Sequence, residues 1–149
     1  MDNKNDIINN PRVVDIESRL EEHERTVAES RREAIEAARI AAKALDSKKG
    51  VGINILKLPD QAVIADCFVI ATGTSSTHIK ALADEVEFQL LEQAGVKPGH
   101  IEGFGNASWI LLDYGTVIIH IFTKEARDFY NLERLWNDAE KLEFDIAKE

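Results

Sequence analysis

The chain has 149 residues, of which 44% are hydrophobic, and its formal net charge is −9. This length suffices for one domain with a sizeable core, and the negative charge disfavours direct nucleic-acid binding and suits a basic protein partner. The single cysteine, Cys67, excludes an internal disulfide and favours a reducing compartment. No apolar stretch approaches the roughly 20 residues that span a bilayer, and the amino terminus lacks the features of a signal peptide. We therefore expect a cytoplasmic protein with no membrane contact.

The first third of the chain predicts a long helix. Residues 1–10 are polar and rich in Asn, so we expect them to be disordered, and Asn10-Pro11 is a favourable helix start. The following charged stretch favours a solvated helix over a coiled coil, because its heptads are not sustained. The stretch up to Ser47 carries an apolar stripe that can pack on a sheet. We therefore expect a disordered start and charged helical extension at 1–30, followed by an α/β domain at 31–149.

Strands and a helix are expected in the middle of the chain. Val51 to Leu58 alternates in polarity, and Asp66 to Ala71 is a continuous apolar run, typical of a strand buried on both faces. A helix is expected from Ser76 to Ala94, with Gly95 ending it. A short strand is expected at Ile101 to Phe104.

The stretch from Trp109 to Phe122 predicts a β-hairpin whose two apolar runs meet at an Asp-Tyr-Gly-Thr turn. In the expected register Trp109 lies opposite His120. One side of the hairpin is then aliphatic and suits a core. The other side combines Trp109, Asp113 and His120 with aliphatic residues, and we expect it to be the partly open face of the sheet.

After the hairpin, Thr123 is expected to cap a helix that begins at Lys124 and is interrupted at Asn131. The apolar residues from Leu132 to Leu142 are interpreted as the stripe of a final helix. The element order α-β-β-α-β-β-β-α predicts an α/β fold, with a mixed sheet of about five strands and helices mainly on one face.

The loop before the second predicted helix is the best candidate for anion binding, because N–H groups and the positive end of the helix dipole lie there. Serine and threonine are also ordinary N-cap residues, and neither a Walker lysine nor a GxGxxG motif accompanies them. Capping is therefore the preferred interpretation of this loop, which consists of Gly73, Thr74, Ser75 and Ser76.

Catalytic chemistry finds little support in the sequence. Metal-assisted nucleotidyl transfer needs two or three converging carboxylates, whereas the hairpin offers Asp113 where a D-x-D pair would be expected. His120 has no plausible nucleophile beside it, since Cys67 lies in an apolar strand. No histidine spacing indicates a zinc site. We therefore expect no enzyme activity, no metal and no cofactor.

The segment 127–136 combines aromatic side chains with paired charges. Tyrosine, tryptophan and arginine dominate the hot spots of protein–protein interfaces, which makes this segment a candidate docking surface. The alternative is that its apolar residues only cover the edge of the sheet. Together with Trp109, Tyr114 and His120, the segment favours a binding surface.

Four sequence blocks occur in order between about residues 33 and 140: ADCFVIATGTSS, WILLDYG, VIIHIF and RDFYNLERLW. Together they resemble the ribosomal silencing factor family, whose members are also known as Iojap-related proteins. The chain departs from the family pattern at Cys67, where Tyr is usual, at Ser47, where Asp is frequent, and at Gly105-Asn106-Ala107, which replaces a more acidic run. Residues 1–30 lie outside the resemblance.

The resemblance implies a non-enzymatic ribosome-binding factor whose fold is similar to the nucleotidyltransferase sheet without its catalytic acids. It also implies docking on large-subunit ribosomal protein fourteen, steric block of small-subunit association, and lower translation under nutrient limitation. Carried over position by position, the partner-binding surface comprises Asp66, Trp109, Asp113, Tyr114, His120, Arg127, Tyr130, Glu133 and Trp136.

Two hypotheses from other classes stay open at this point. One is a nucleotidyltransferase-like protein that binds nucleotide at the Gly73–Ser76 loop. The other is a dimeric adaptor, a homodimer that self-associates through the Leu132–Leu142 stripe.

Overall fold

The computed structural model describes the backbone of residues 11–144 and the side chains of residues 15–144, so the expected disorder of residues 1–10 lies outside the described part. The four helices of this part are α1 (Pro11–Ser47), α2 (Ser76–Ala94), α3 (Lys124–Tyr130) and α4 (Leu132–Leu135). The six strands are β1 (Val51–Lys57), β2 (Cys67–Thr72), β3 (His100–Glu102), β4 (Trp109–Asp113), β5 (Val117–Phe122) and β6 (Glu140–Leu142). None of the helices described is long and apolar enough to cross a membrane.

The described residues divide into two units, one ending at Arg32 and the other beginning at Glu33. The first unit is the charged part of α1, where Ile16 and Leu20 are exposed and Arg19 pairs with Asp15 at 3.2 Å. Such i,i+4 ion pairs stabilise a solvated helix by only a few tenths of a kcal/mol. The charged helix that the sequence predicts before the sheet is therefore confirmed.

The second unit contains one six-stranded sheet with the strand order β3-β4-β5-β2-β1-β6. Strands β2 and β5 are parallel at its centre, and every other neighbouring pair is antiparallel. The predicted mixed α/β fold is therefore confirmed, with six strands. The helix ends also match: Gly95 follows α2 with φ 67°, and the Thr123 side chain accepts from the Ala126 N–H at 3.2 Å to cap α3.

The hairpin register differs from the prediction by two residues. Trp109 lies opposite Phe122, and Leu111, instead of Trp109, lies opposite His120. The cause is the turn, which is centred one residue later than expected: Gly115 adopts φ 85° and the Tyr114 N–H donates to the Val117 carbonyl at 2.9 Å. Because a shift of two preserves the alternation of side chains, each residue still faces the predicted side of the sheet.

One face of the sheet is covered by residues 33–47 of α1 and by α2. Aliphatic side chains of the strands, such as Ile119 and Leu112, are fully buried there against Leu45 of α1 and Leu82 of α2. We call this cluster the first core. It corresponds to the aliphatic side of the hairpin, and it confirms that the long helices lie on one face.

The opposite face carries a second core, which is where the prediction of an open face is wrong. His120 is only 4% exposed, and Phe68 and Phe122 are buried beside it. Leu132 of α4 and Trp136, directly after α4, pack against these residues.

The predicted final helix from Leu132 to Leu142 is also wrong. Helix α4 ends at Leu135, and residues 140–142 form β6, in which Leu142 lies opposite Ile55 of β1. Backbone pairing with the edge of β1 explains this outcome, because a strand there satisfies N–H and C=O groups of β1. The predicted interruption at Asn131 is confirmed, since this residue is left-handed with φ 47°.

Candidate protein-docking site

An aromatic cluster on the second face brings together residues that are distant in the sequence. The ring centre of Trp109 lies 4.5 Å from that of Tyr130 and 4.9 Å from that of Phe122. Phe68 of β2 contacts Trp136 at 5.8 Å and, at 4.5 Å, His120. Four of the predicted site residues, Trp109, His120, Tyr130 and Trp136, therefore belong to one cluster.

His120 is held in this cluster as a neutral side chain. The Trp109 Nε1–H donates to His120 Nδ1 at 3.1 Å, and the His120 Nε2 is buried without a hydrogen-bond partner. Burial lowers the pKa of His120 to about 3. A histidine that stays neutral and has no exposed polar atom orients the Trp109 indole; its surroundings do not suit acid–base catalysis near neutral pH.

Arg127 links three elements next to this cluster. Its Nε and Nη2 donate to the same Glu133 oxygen, Oε1, at 2.9 Å and 2.8 Å. Its Nη1 donates to Thr72 Oγ1 at 3.0 Å. The two predicted charged residues of this segment therefore pair with each other.

The other three predicted site residues, Asp66, Asp113 and Tyr114, lie outside the aromatic cluster. Asp113 Oδ1 accepts from the Gly115 N–H at 2.7 Å, so this carboxylate fixes the hairpin turn. Asp66 lies at the same end of the sheet, where its backbone N–H donates to the Thr116 carbonyl at 2.8 Å. Within residues 15–144 no group of three or more His, Cys, Asp or Glu side chains could hold a metal.

Tyr114 lies on the opposite face from the aromatic cluster. Its side chain packs against the first core, and its hydroxyl is buried without a hydrogen-bond partner. Burial, and secondarily the charge of Glu87 on α2, raises the pKa of Tyr114. The structure thus places Tyr114 away from Trp109, even though the two residues are close in the sequence.

Helices α3 and α4 expose large apolar side chains. Phe129 is 81% exposed, Leu135 is 71% exposed and Tyr130 is 49% exposed, whereas Leu132 and Trp136 pack on the second core. The two sequence interpretations of this segment therefore apply to different residues: one subset covers the sheet, and the other faces solvent. We use the term docking surface for Trp109, Phe129, Tyr130 and Leu135.

Sequence reasoning did not separate Phe129 and Leu135 from their buried neighbours. The separating signal is Asn131, whose left-handed backbone ends α3 and changes which residues of the next turn face the sheet. Val63 and Ile64, in the loop between β1 and β2, are also exposed and were not singled out. Exposed apolar groups of this kind mark interaction sites when they occur together.

Thr74 and Ser75 of the Gly73–Ser76 loop form hydrogen bonds with His78, in the first turn of α2. The Ser75 side chain accepts from the His78 N–H at 3.1 Å and caps α2. The Thr74 N–H donates to His78 Nδ1 at 2.9 Å, so the Nε2 of His78 carries a proton and donates to the Lys48 carbonyl at 2.8 Å. Capping, the preferred interpretation, is therefore observed, and anion binding stays a prediction.

A cleft of about 470 Å³ lies beside this loop, at the carboxyl ends of the parallel strands β2 and β5. Ligands of open α/β sheets bind at this kind of edge. The wall of the cleft carries both signs of charge, since Lys124 and Arg127 alternate with Glu125 and Asp128. The mixed charge does not favour an anion over other ligands.

These features define the chain as a mixed α/β protein in which an aromatic cluster continues to the surface through α3 and α4. The family model described as "Ribosomal silencing factor during starvation" matches residues 31–149. The chain belongs to the ribosomal silencing factor family, a family of translational regulators.

Relatives and solved structures agree with this assignment. The ribosomal silencing factor of Bacillus subtilis is 38% identical over 109 residues, covering 73% of this chain and 92% of the relative. The mitochondrial Iojap-related protein of Arabidopsis thaliana is 31% identical over 99 residues, covering 64% of this chain and 53% of the relative. A crystal structure of a Chromobacterium violaceum protein superposes with a TM-score of 0.65 at 33% identity, covering 75% of this chain and 92% of the other.

Proposed function

We propose that this protein binds the large ribosomal subunit through large-subunit ribosomal protein fourteen and sterically blocks association with the small subunit. It represses translation in this way in the cytoplasm under nutrient limitation, without catalysing a reaction. Membership of the family and the net charge of −9, which suits a basic ribosomal protein, support the proposal.

The exposure of Phe129 and Leu135 is the observation that carries this proposal. Leu132 of α4 and Trp136, directly after it, already pack on the second core, so the exposure of Phe129 and Leu135 is not a requirement of the fold. Aromatic side chains at the centre of an interface and charged residues at its rim are typical of protein–protein docking. Asp128, in α3, and Asp138, just after this segment, are exposed and supply negative charge for such a rim.

The test is co-sedimentation of the protein with purified large subunits at increasing salt, with light scattering to follow subunit joining. We expect Phe129→Ala to weaken binding by roughly tenfold or more, which corresponds to about 1.4 kcal/mol or a moderate hot spot. The matched control is Phe88→Ala, because Phe88 is 55% exposed on α2, away from the docking surface. Equal binding by the two variants would contradict the placement of the surface.

The cleft beside the Gly73–Ser76 loop is the observation that favours the alternative, a nucleotidyltransferase-like protein that binds nucleotide. Calorimetry with millimolar nucleotide and Mg²⁺ tests it directly. We expect no heat of binding, because the cleft wall offers as many acidic as basic side chains. Saturable heat that disappears in Lys124→Ala would support the alternative.

A further inference from the structure

Arg127 and Glu133 lie on opposite sides of the break between α3 and α4. Arg127 belongs to α3 and Glu133 to α4, and the left-handed Asn131 separates the two helices. Two guanidinium nitrogens of Arg127 contact one oxygen of Glu133, so the pair spans this break. Both side chains are largely buried, and an ion pair that is partly shielded from water is screened less than an exposed one.

The start of β1 is shaped to admit this guanidinium. The β1–β2 register shifts between Val51 and Asn54, and Gly52, within this irregularity, has φ 58°. A Cβ built on Gly52 would lie 2.9 Å from Arg127 Nη1, closer than real Cβ atoms approach other atoms. Irregularities of this kind are used to redirect or accommodate side chains near functional sites. Glycine avoids backbone strain at this positive φ and leaves the space that the Arg127 guanidinium occupies, so a larger residue would displace the guanidinium from its present bonds.

The remaining bonds of Arg127 anchor it to the sheet. Nη1 donates to Thr72 Oγ1 at 3.0 Å, at the end of β2, and approaches the Val51 carbonyl at 3.4 Å. Helices α3 and α4 contain no fully buried residue, and α4 has only four residues, so their own packing fixes them weakly. A partly buried arginine that bonds to the sheet on one side and to α4 on the other is placed to supply the missing constraint.

We propose that Arg127 and Glu133 are positioning residues, which hold α3 and α4 at the angle that presents Phe129, Tyr130 and Leu135 to the partner. The space that Gly52 leaves for the Arg127 guanidinium is part of the same arrangement. The two charged residues act through the docking surface and do not themselves contact the ribosomal protein. This inference rests on the proposed function for its binding consequence, whereas its structural consequence can be measured on the protein alone.

The first measurement is hydrogen exchange of the protein alone, comparing wild type with Glu133→Gln and Gly52→Ala. Glu133→Gln removes the charge and keeps the shape of the side chain, while Gly52→Ala displaces the guanidinium without removing any charge. We expect faster exchange in residues 127–136 for both variants and unchanged exchange in β4 and β5. Arg134→Ala is the matched control, since Arg134 is an exposed cation of the same segment. Unchanged exchange of residues 127–136 in Glu133→Gln would overturn the proposal, even where Gly52→Ala fails to fold.

The second measurement is the dissociation constant for large subunits. We expect Glu133→Gln and Gly52→Ala each to raise it several-fold, and Arg127→Lys to raise it as well, because a lysine cannot donate to Glu133 and Thr72 with the same planar geometry. Normal binding by Glu133→Gln and Gly52→Ala, combined with loss of binding in Arg127→Ala, would show direct contact and overturn the proposal. Absence of binding by the wild type would instead refute the proposed function, and the exchange measurement would still decide the positioning role.

Discussion

The two faces of the sheet have different chemistry and different cover. The first face is aliphatic, and residues 33–47 of α1 together with α2 bury it. The second face is aromatic, and its cover includes two short helices without a fully buried residue of their own. The comparison indicates that the first face supplies most of the stability. On the second face, the covering segment leaves some of its apolar side chains exposed to solvent.

The difference follows from how burial converts to free energy. A fully buried leucine contributes about 1.5–3 kcal/mol relative to an exposed one, so the fully buried side chains of the first core dominate the stability. Phe129 and Leu135 remain mostly exposed and contribute little to folding. They are therefore available for association, where their burial would contribute to binding.

The largest expected effect is on the first face. Leu112 is fully buried there, so Leu112→Ala should lower the free energy of unfolding by about 2–5 kcal/mol, because it removes buried methyl groups and leaves a cavity. Leu135→Ala is the matched control and should change stability by no more than about 0.5 kcal/mol. Chemical denaturation measures both values. Equal losses in the two variants would contradict the division of roles between the faces.

An effect of similar size, spread over several pH units, is expected on the second face at acid pH. The pKa of His120 is about 3 in the folded protein and lies near 6.5 when the side chain is unperturbed. The unfolded chain therefore binds more protons in this range, and stability is complete above about pH 6.5 and is lost as the pH falls toward 3. The slope from this one group approaches about 1.4 kcal/mol per pH unit.

His120→Asn provides the control for this pH dependence, because an amide does not titrate and its oxygen can still accept a hydrogen bond. Denaturation of both proteins at pH values between 7 and 4 gives the difference in slope. A wild-type curve parallel to that of the variant would show that burial does not hold His120 neutral.

The smallest effect is expected at Tyr114. This residue packs on the first face, so its substitution tests directly which face binds the partner. Its hydroxyl has no hydrogen-bond partner in the first core, so Tyr114→Phe should leave the free energy of unfolding unchanged or raise it, within about 1 kcal/mol. The proposed binding to the large subunit should also be unchanged, because Tyr114 lies away from the docking surface. Weaker binding by this variant would indicate that Tyr114 belongs to the partner-binding surface, as the family resemblance implies.

Local patterns identified most of the elements. Gly95 and Asn131 end helices as predicted, and the faces of β4 and β5 alternate as predicted, because these features depend on backbone preference and on the period of two along a strand. The partner of each strand residue was less predictable. The conformation of Gly115 decides whether Trp109 lies opposite His120 or Phe122, and several turn positions fit the same residues.

The sequence by itself determined the type of most helices and strands, the aliphatic core, the acidic charge and the family resemblance, since each depends on composition, periodicity or a local motif. Only the tertiary structure decided that residues 140–142 pair with β1, that His120 is buried, and that Phe129 and Leu135 are exposed while Leu132 and Trp136 are not. The reason is physical: an apolar residue can be buried wherever another element covers it. The covering elements come from chain segments that are far away in the sequence, so a local sequence pattern cannot predict which apolar residues they bury.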